Sequence, residues 1–355
     1  MFPQITILGA GLSGLSLAYI LNKHNIPATI LEARNRIGGR MHTLYPPNEA
    51  SIEMGATWLG EKHRHLTALR SELNIPIYPQ PKGSVTLFEY HPKLPPNKIP
   101  NPPESQPSQR IRGGSSALIQ TLAQNIPLTT LKLGQIVTRL DFTHPKPIVQ
   151  TLQASFQSDL IVSTLPPKLL SSSIEINPQL PDTITQIASQ THTWMAESIK
   201  VGLTYTYPFW NNSKTSGTLL SHVGPIFEMY DHSLPAQNLF ALKAFVHESL
   251  SSIPQAQRKK LILQQLTRLY GVQAQEYVGY HECIWQNEPY TYLPYDTHIA
   301  PHQNNGHPHF RIPYQNGHLL LSGSETAEDF PGYMDGAVQS AIHTANYILE
   351  HYSHS

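Results

Sequence analysis

Residues 5–40 set the strongest limit on what this chain can fold into. They read Ile5-Thr6-Ile7-Leu8, then Gly9-Ala10-Gly11-Leu12-Ser13-Gly14, then an apolar run, then Ala28-Thr29-Ile30-Leu31-Glu32. That pattern predicts a strand, a glycine-rich turn, a helix and a second strand closed by an acid. The first glycine permits the tight turn, the second lets backbone amides approach a pyrophosphate, and the third lets the helix pack close to the sheet. The start of the helix adds free N–H groups and a partial positive charge for phosphates. Glu32 stands at about the ~20-residue spacing expected of a carboxylate that grips ribose hydroxyls. The stretch therefore predicts dinucleotide binding on an α/β scaffold.

A second anchor follows at once. Glu32-Ala33-Arg34 leads into Arg36-Ile37-Gly38-Gly39-Arg40, a glycine pair bracketed by arginines. A nicotinamide site does not need this pair, whereas a longer buried flavin dinucleotide gains a second hold on its phosphates. The bland alternative for Arg36 and Arg40 is a solvated turn.

Composition narrows the partners. The chain has 355 residues, zero formal net charge and only 14% charged residues. That length is enough for one large or two interleaved domains. Lys and Arg are scattered, so no nucleic-acid surface is expected. Cys283 is the single cysteine, which excludes a disulfide framework or a cysteine metal site within the chain. The first strand begins almost immediately, and no apolar run approaches the ~20 residues of a membrane span. A soluble cytoplasmic protein is the expectation.

The motifs recur along the whole chain. Gly55-Ala56-Thr57-Trp58 follows the second glycine pair, although by pattern alone Trp58 could be a core aromatic. Leu66, Leu69, Leu73 and Ile75 predict a short amphipathic helix ending near Asn74. Residues 91–109 carry Pro92, Pro95, Pro96, Pro100, Pro102, Pro103 and Pro107, which predicts an extended connection. Arg110-Ile111-Arg112-Gly113-Gly114 precedes a helix marked by Leu118 and Leu122, residues 133–141 read as a strand hairpin, and residues 159–167 as a buried strand stopped by prolines. In residues 198–205, Ile199, Val201, Leu203 and Tyr205 face one way, and Lys200, Gly202 and Thr204 the other. On that pattern alone Lys200 is a solvated lysine on a half-buried strand. Leu319-Leu320-Leu321-Ser322-Gly323-Ser324-Glu325-Thr326 predicts another buried strand. A long helix follows, marked by Val338, Ala341, Ala345, Ile348 and Tyr352.

Taken together, these segments resemble the flavin-dependent amine oxidase family, the group of the monoamine and polyamine oxidases, with its form GAGLSGL…EARxRIGGR. The resemblance implies a Rossmann-type FAD domain of residues 1–61, 105–195 and 292–355, with a smaller α+β substrate domain of residues 62–104 and 196–291 inserted into it. It implies FAD held by Gly9, Gly11, Ser13, Gly14, Glu32, Ala33, Arg34, Gly39 and Arg40, by the loop Gly55 to Trp58, and by the backbone of Val137. Trp285, Gly323, Ser324, Glu325, Tyr333, Met334 and Ala337 complete that set. Lys200 matches the family's active-site lysine, which holds a water against the flavin and is implicated in reoxidation by oxygen. Gly202 would let the flavin sit close to the backbone. Tyr333 and Tyr292 would form the two walls of an aromatic cage, with Tyr290 and Tyr295 as neighbours of uncertain register. Some members tether FAD to a cysteine after the tryptophan corresponding to Trp285. None stands there in this chain, so FAD should be non-covalent. The family's helical lid is shortened here to the proline-rich connection.

The implied activity is oxidation of a small amine, with hydride transfer from the α-carbon to flavin N5 and O2 as acceptor, giving imine and hydrogen peroxide. Two alternatives stand beside it: a flavin desaturase or dehydrogenase of the same fold, and a flavin-binding partner subunit without turnover.

Overall fold

The computed structural model describes residues 3–102, 106–212 and 215–352. The expected limits at residues 1, 104, 105 and 355, and Pro103 of the proline-rich stretch, lie outside the described residues.

The first motif folds as its residues require. Strand Ile5–Leu8 runs into the helix Leu12–Lys23 and returns as strand Ala28–Leu31. Five parallel strands follow the order Thr130–Lys132, Ala28–Leu31, Ile5–Leu8, Leu160–Ser163, Leu319–Leu321. The two faces of this sheet are covered differently. Ile5, Ile7, Ile30, Leu160, Val162 and Leu320 pack against Leu15, Ala18 and Leu21 of the first helix and against Val338, Ala341, Ala345 and Ile348 of the last helix, Met334–Tyr352. Leu8, Leu31, Ile161, Leu319 and Leu321 meet a four-stranded sheet through Leu140, Val149 and Ile176. The other four strands are mostly apolar because both faces are buried, as parallel sheets require, while the edge strand Thr130–Lys132 is exposed.

A seven-stranded sheet forms the second layer, in the order Gly279–Ile284, Ile199–Tyr205, Phe240–Val246, Ile226–Asp231, Leu219–Ser221, Val85–Glu89, Asn97–Pro100. Helix Gln255–Tyr270 covers one face, where Ile262 and Leu266 pack on Ile199, Val201 and Leu203.

Several expectations change at this level. The helix predicted around Leu66 is Arg64–Glu72, and Asn74 beyond it takes a positive φ. Leu66 and Leu69 pack into the parallel-sheet core, and Leu66 N donates to Asp335 at 2.8 Å. Segment 62–104 therefore divides: its helix joins the first layer, Val85–Glu89 and Asn97–Pro100 join the second, and Ile77–Pro79 pairs with Gln109–Ile111 in a small three-stranded sheet. The proline-rich stretch is extended as expected, yet Asn97–Pro100 pairs with Val85–Glu89 as an exposed edge strand. Prolines suit that place, since an edge strand leaves donors unpaired. The hairpin expected within residues 133–141 instead joins Val137–Asp141 to Ile148–Thr151, because residues before 137 return from the parallel sheet. Strand Ile199–Tyr205 is buried on both faces. Gly202 faces Ile52, whose side-chain carbons would lie 2.4 Å from an added Cβ, so its missing side chain serves sheet packing and leaves no opening for a flavin.

Candidate active site

One cavity of about 810 Å³ runs between the two layers. At the parallel sheet it is lined by Gly9, Gly11, Ser13, Glu32, Ala33, Arg34 and Val137. Gly39, Arg40, Gly55, Ala56, Trp285, Ser324, Met334 and Ala337 line its middle, and Thr57 stands beside Lys200 where the middle meets the chamber, its Oγ1 and the Lys200 Nζ sharing the Gly55 carbonyl. Trp58, His63, Trp194, Lys200, Phe227, Glu228, Phe245 and Tyr333 wall the chamber at the other sheet.

The dinucleotide end is built from backbone. A Cβ on Gly14 would stand 2.1 Å from the Gly9 carbonyl oxygen, so only glycine lets the helix sit this close to the strand. A Cβ on Gly11 would meet nothing within 4 Å, which leaves the turn open toward the cavity. No acidic side chain occupies the first turn of the helix, so its N–H groups and partial positive charge face an anion without competition. Glu32 accepts from Ala10 N at 2.8 Å and Arg34 N at 2.9 Å, tying the glycine turn to the second strand. Arg34 is held in turn by Glu288 at 2.8 Å and by Thr291 Oγ1 at 2.9 Å.

Arg40 makes a two-pronged contact with Glu325, at 2.6 and 2.9 Å, and donates to Ser324 Oγ at 2.7 Å. Burial raises the Glu325 carboxyl, but the Arg40 charge and its hydrogen bonds outweigh that and hold it below the usual range. Glu325, Gly323 and Gly14 thus stand behind the cavity wall. Gly323 lets the strand end pass the carbonyls of Leu165 and Thr164, at 3.1 and 3.3 Å from an added Cβ. Trp285 donates from Nε1 to the Met54 carbonyl at 2.7 Å, fixing the loop that leads to Gly55.

Lys200 lies in the chamber wall. It is 5% exposed and donates to the Gly55 carbonyl at 2.6 Å, with its Nζ 5.0 Å from the Phe245 ring centre. Burial pulls its pKa down to about 8, against the lesser pull of Glu53 upward. The pattern reading of a solvated lysine is therefore overturned by the second sheet face being covered.

Tyr292 does not reach the chamber. The segment after Trp285 turns so that Tyr290 and Thr291 line the cavity, and Arg34 holds Thr291. Tyr292 then points away and meets Tyr295 edge-on at 6.1 Å. Tyr295 accepts from Thr193 N at 2.9 Å and donates to the Thr191 carbonyl at 3.0 Å, which fixes the turn carrying Trp194. Trp194 is the ring that stands beside Tyr333, with centres 5.5 Å apart, and His302 stacks behind it at 4.0 Å. Sequence reasoning missed Trp194, Phe245, Glu228 and Lys243. The last carried a signal: a lysine at the centre of the apolar run Phe240-Ala241-Leu242-Lys243-Ala244-Phe245-Val246.

A glycine-rich turn at the head of a parallel sheet, opening into a cavity closed by a second sheet with a buried lysine, defines a dinucleotide-dependent oxidoreductase. A family model described as flavin containing amine oxidoreductase matches residues 12–109 and 99–349. Amine oxidase [flavin-containing] A of Canis lupus familiaris is 22% identical over 452 residues, covering 98% of this chain and 85% of its own. Amine oxidase [flavin-containing] B of Homo sapiens is 22% identical over 458 residues, covering 98% and 86%. Among solved structures, cyclohexylamine oxidase from Brevibacterium oxydans IH-35A has a TM-score of 0.85 at 19% identity, covering 99% of each chain. Wild-type putrescine oxidase bound to putrescine has a TM-score of 0.84 at 20% identity, also covering 99% of each. The chain belongs to the flavin-containing amine oxidoreductases and is an FAD-dependent amine oxidase. No helix among the described residues is long and apolar enough to cross a membrane.

Proposed function

We propose that this chain oxidises a small primary amine without an α-carboxylate, held against the touching rings of Trp194 and Tyr333 and facing Lys200. The observation that carries this reading is the single cavity joining the glycine-rich turn to a chamber of aromatic rings and a buried lysine. FAD bound here would supply a hydride acceptor for the amine α-carbon, with O2 as the final acceptor and imine and hydrogen peroxide as products. The cavity fits that group: Gly11 opens onto it, the helix start faces it, and Glu32 and Arg34 border it. Gly39, Ala56, Val137, Met334 and Ala337 would border the rest of a bound FAD. In this reading the parallel and four-stranded sheets form a Rossmann-type cofactor domain, and the seven-stranded sheet a substrate domain.

The chain's own residues do the remaining work. Trp194 and Tyr333 give the amine an apolar wall, and the burial around Lys200 favours the amine's uncharged form. Lys200, lowered to about 8 by burial, can give or take a proton at Nζ near neutral pH. The two arginines on the cavity wall, Arg34 and Arg40, are engaged by Glu288 and Glu325, which leaves a substrate carboxylate without a bidentate partner there.

Glu228 refines the substrate class. In the sheet register Lys200 pairs with Phe245, and Phe245 with Glu228, so the two backbones lie two strands apart, roughly 10 Å, and the Glu228 carboxylate also accepts from the Tyr230 hydroxyl. That spacing suits an amine carrying a second positive group, and the likeness in fold to a putrescine-bound oxidase supports it. Peroxide release by the purified yellow protein, over a panel of monoamines, diamines and amino acids, tests the reading. Turnover of free L-amino acids with none of simple amines would overturn it. Bound FAD with no turnover of any amine would favour the partner-subunit alternative.

A further inference from the structure

A second buried lysine stands behind the chamber. Lys243 has no exposed surface, and its Nζ donates to Thr57 Oγ1, a residue of the cavity wall. Its other neighbours are the rings of Trp58, 4.3 Å away, and Phe245, 5.3 Å away. Phe245 thus has both Lys200 and Lys243 at its ring, but only Lys200 lines the cavity directly. Thr57 Oγ1 also lies 3.3 Å from the Gly55 carbonyl that Lys200 holds, so its hydroxyl has two partners to choose between.

We propose that Lys243 is a positioning residue that stores the substrate's proton, taking it from the bound ammonium through the Thr57 hydroxyl. This rests on the amine-oxidase reading above, since a protonated amine has no lone pair to assist loss of a hydride. The ammonium N–H gives its proton to Thr57 Oγ1 while the Thr57 O–H bond breaks and that proton joins the Nζ lone pair of Lys243. The products are a neutral amine, an unchanged threonine and a lysine ammonium, with no electrons gained or lost.

The surroundings suit both states of the lysine. Burial first, then the charges of Lys200 and Arg110, hold Lys243 well below the ordinary lysine value, which favours its neutral amine. Glu53 on the short strand Ile52–Glu53 and Glu228 on the strand Ile226–Asp231 pull the other way and receive the charge once formed. The Trp58 face adds cation–π attraction. His232 lies in the same buried cluster, and burial together with Arg110, Lys243 and Lys200 keeps it neutral as well.

The test uses FAD-loaded protein carrying lysine labelled with ¹³C at Cε, titrated at constant pH with tert-butylamine, which has no α-hydrogen to lose. The Lys243 signal, assigned by its loss in Lys243→Met, is expected to move from the amine to the ammonium position. In Thr57→Val it should stay still, and in Thr57→Ser it should move again. Stopped-flow reduction by an oxidisable amine gives a second readout. The wild-type limiting rate should reach a non-zero plateau as pH falls, because the proton shared with Lys243 leaves a fixed fraction of neutral amine. In Lys243→Met and Thr57→Val it should keep falling about tenfold per pH unit. A Lys243 signal that never moves, or one that moves equally in Thr57→Val, would overturn the relay, as would movement confined to Lys200. If the relay fails while amines still yield peroxide, the functional reading stands. If no amine perturbs either lysine or yields peroxide, both fall.

Discussion

Lys200 shows how one residue's surroundings set its chemistry. Covering the second face of its strand removes water from an amine that keeps one carbonyl partner and one aromatic ring. Lys200→Met should leave FAD bound, because a similar volume fills the site, yet slow turnover by roughly 10²–10⁴-fold. Stopped-flow absorbance would assign the loss to flavin reduction or to reoxidation, and unchanged rates in both would remove Lys200 from the chemistry. The same residue has a signature in stability. Its folded value, about 8, lies below the ordinary 10.5, so as pH falls through that window the unfolded chain takes up a proton that the folded chain refuses. Wild-type stability therefore drops from pH 10.5 to 8 and stays lower below it. Lys200→Met escapes this drop, and its unfolding free energy from denaturant titration should exceed the wild type's at pH 7 by on the order of 3 kcal/mol, with the gap closing toward pH 10. Glu228 makes a prediction of a different kind. Glu228→Gln should raise KM for a diamine by about 10–100-fold, the worth of a hydrogen bond to a charged group, while a monoamine of equal length is unaffected. Equal losses for both would assign Glu228 to the fold alone.

At the level of elements, the strands and helices that hold the cofactor end were legible because their motifs are local. Gly9 to Gly14, Glu32 and the last helix each declare themselves within a few turns of chain, and the fold has them where the pattern asked. The substrate end was legible only in part, because it is made by contacts between distant segments. Trp194 reaches Tyr333 through a turn pinned by Tyr295, a hundred residues away, and nothing in the run Gln190-Thr191-His192-Thr193-Trp194 announces it. Gly202 was misread for the same reason. A missing side chain is visible in sequence, but what fills the space is not, and here it is Ile52. Gly202→Ala should therefore cost about 1–3 kcal/mol by overpacking. Ile52→Ala in the same chain removes all three carbons that crowd the new methyl and should recover part of that loss. A chemical-denaturation cycle over the four proteins would measure the coupling, and strict additivity would show that the two residues do not meet.

For the molecule as a whole, the cavity lies between two sheets that share no strand among the described residues, and the cofactor is expected to join them. The parallel sheet brings the glycine turn, Glu32 and Arg34, while the seven-stranded sheet brings Lys200, Phe245 and Glu228. A group bound along that cavity touches both, so it should stabilise their union by mass action. Covalent attachment is not available to support it. Cys283 pairs with Lys200 in the sheet register but is not among the residues that line the cavity, and burial pushes its thiol up to about 11, far from the reactive thiolate. Acid precipitation should thus leave all the FAD in the supernatant, and flavin retained on the precipitated chain would overturn this. The protein stripped of FAD should melt lower than the loaded one and recover as FAD is added back, the gain growing with free FAD to ~4 kcal/mol at a thousand times Kd. Calorimetry at several FAD concentrations checks the point. A single transition that rises with FAD would show the two sheets unfolding together around the cofactor. Two transitions, with only the one from the parallel sheet responding, would show that FAD stabilises its own domain and leaves the substrate sheet independent.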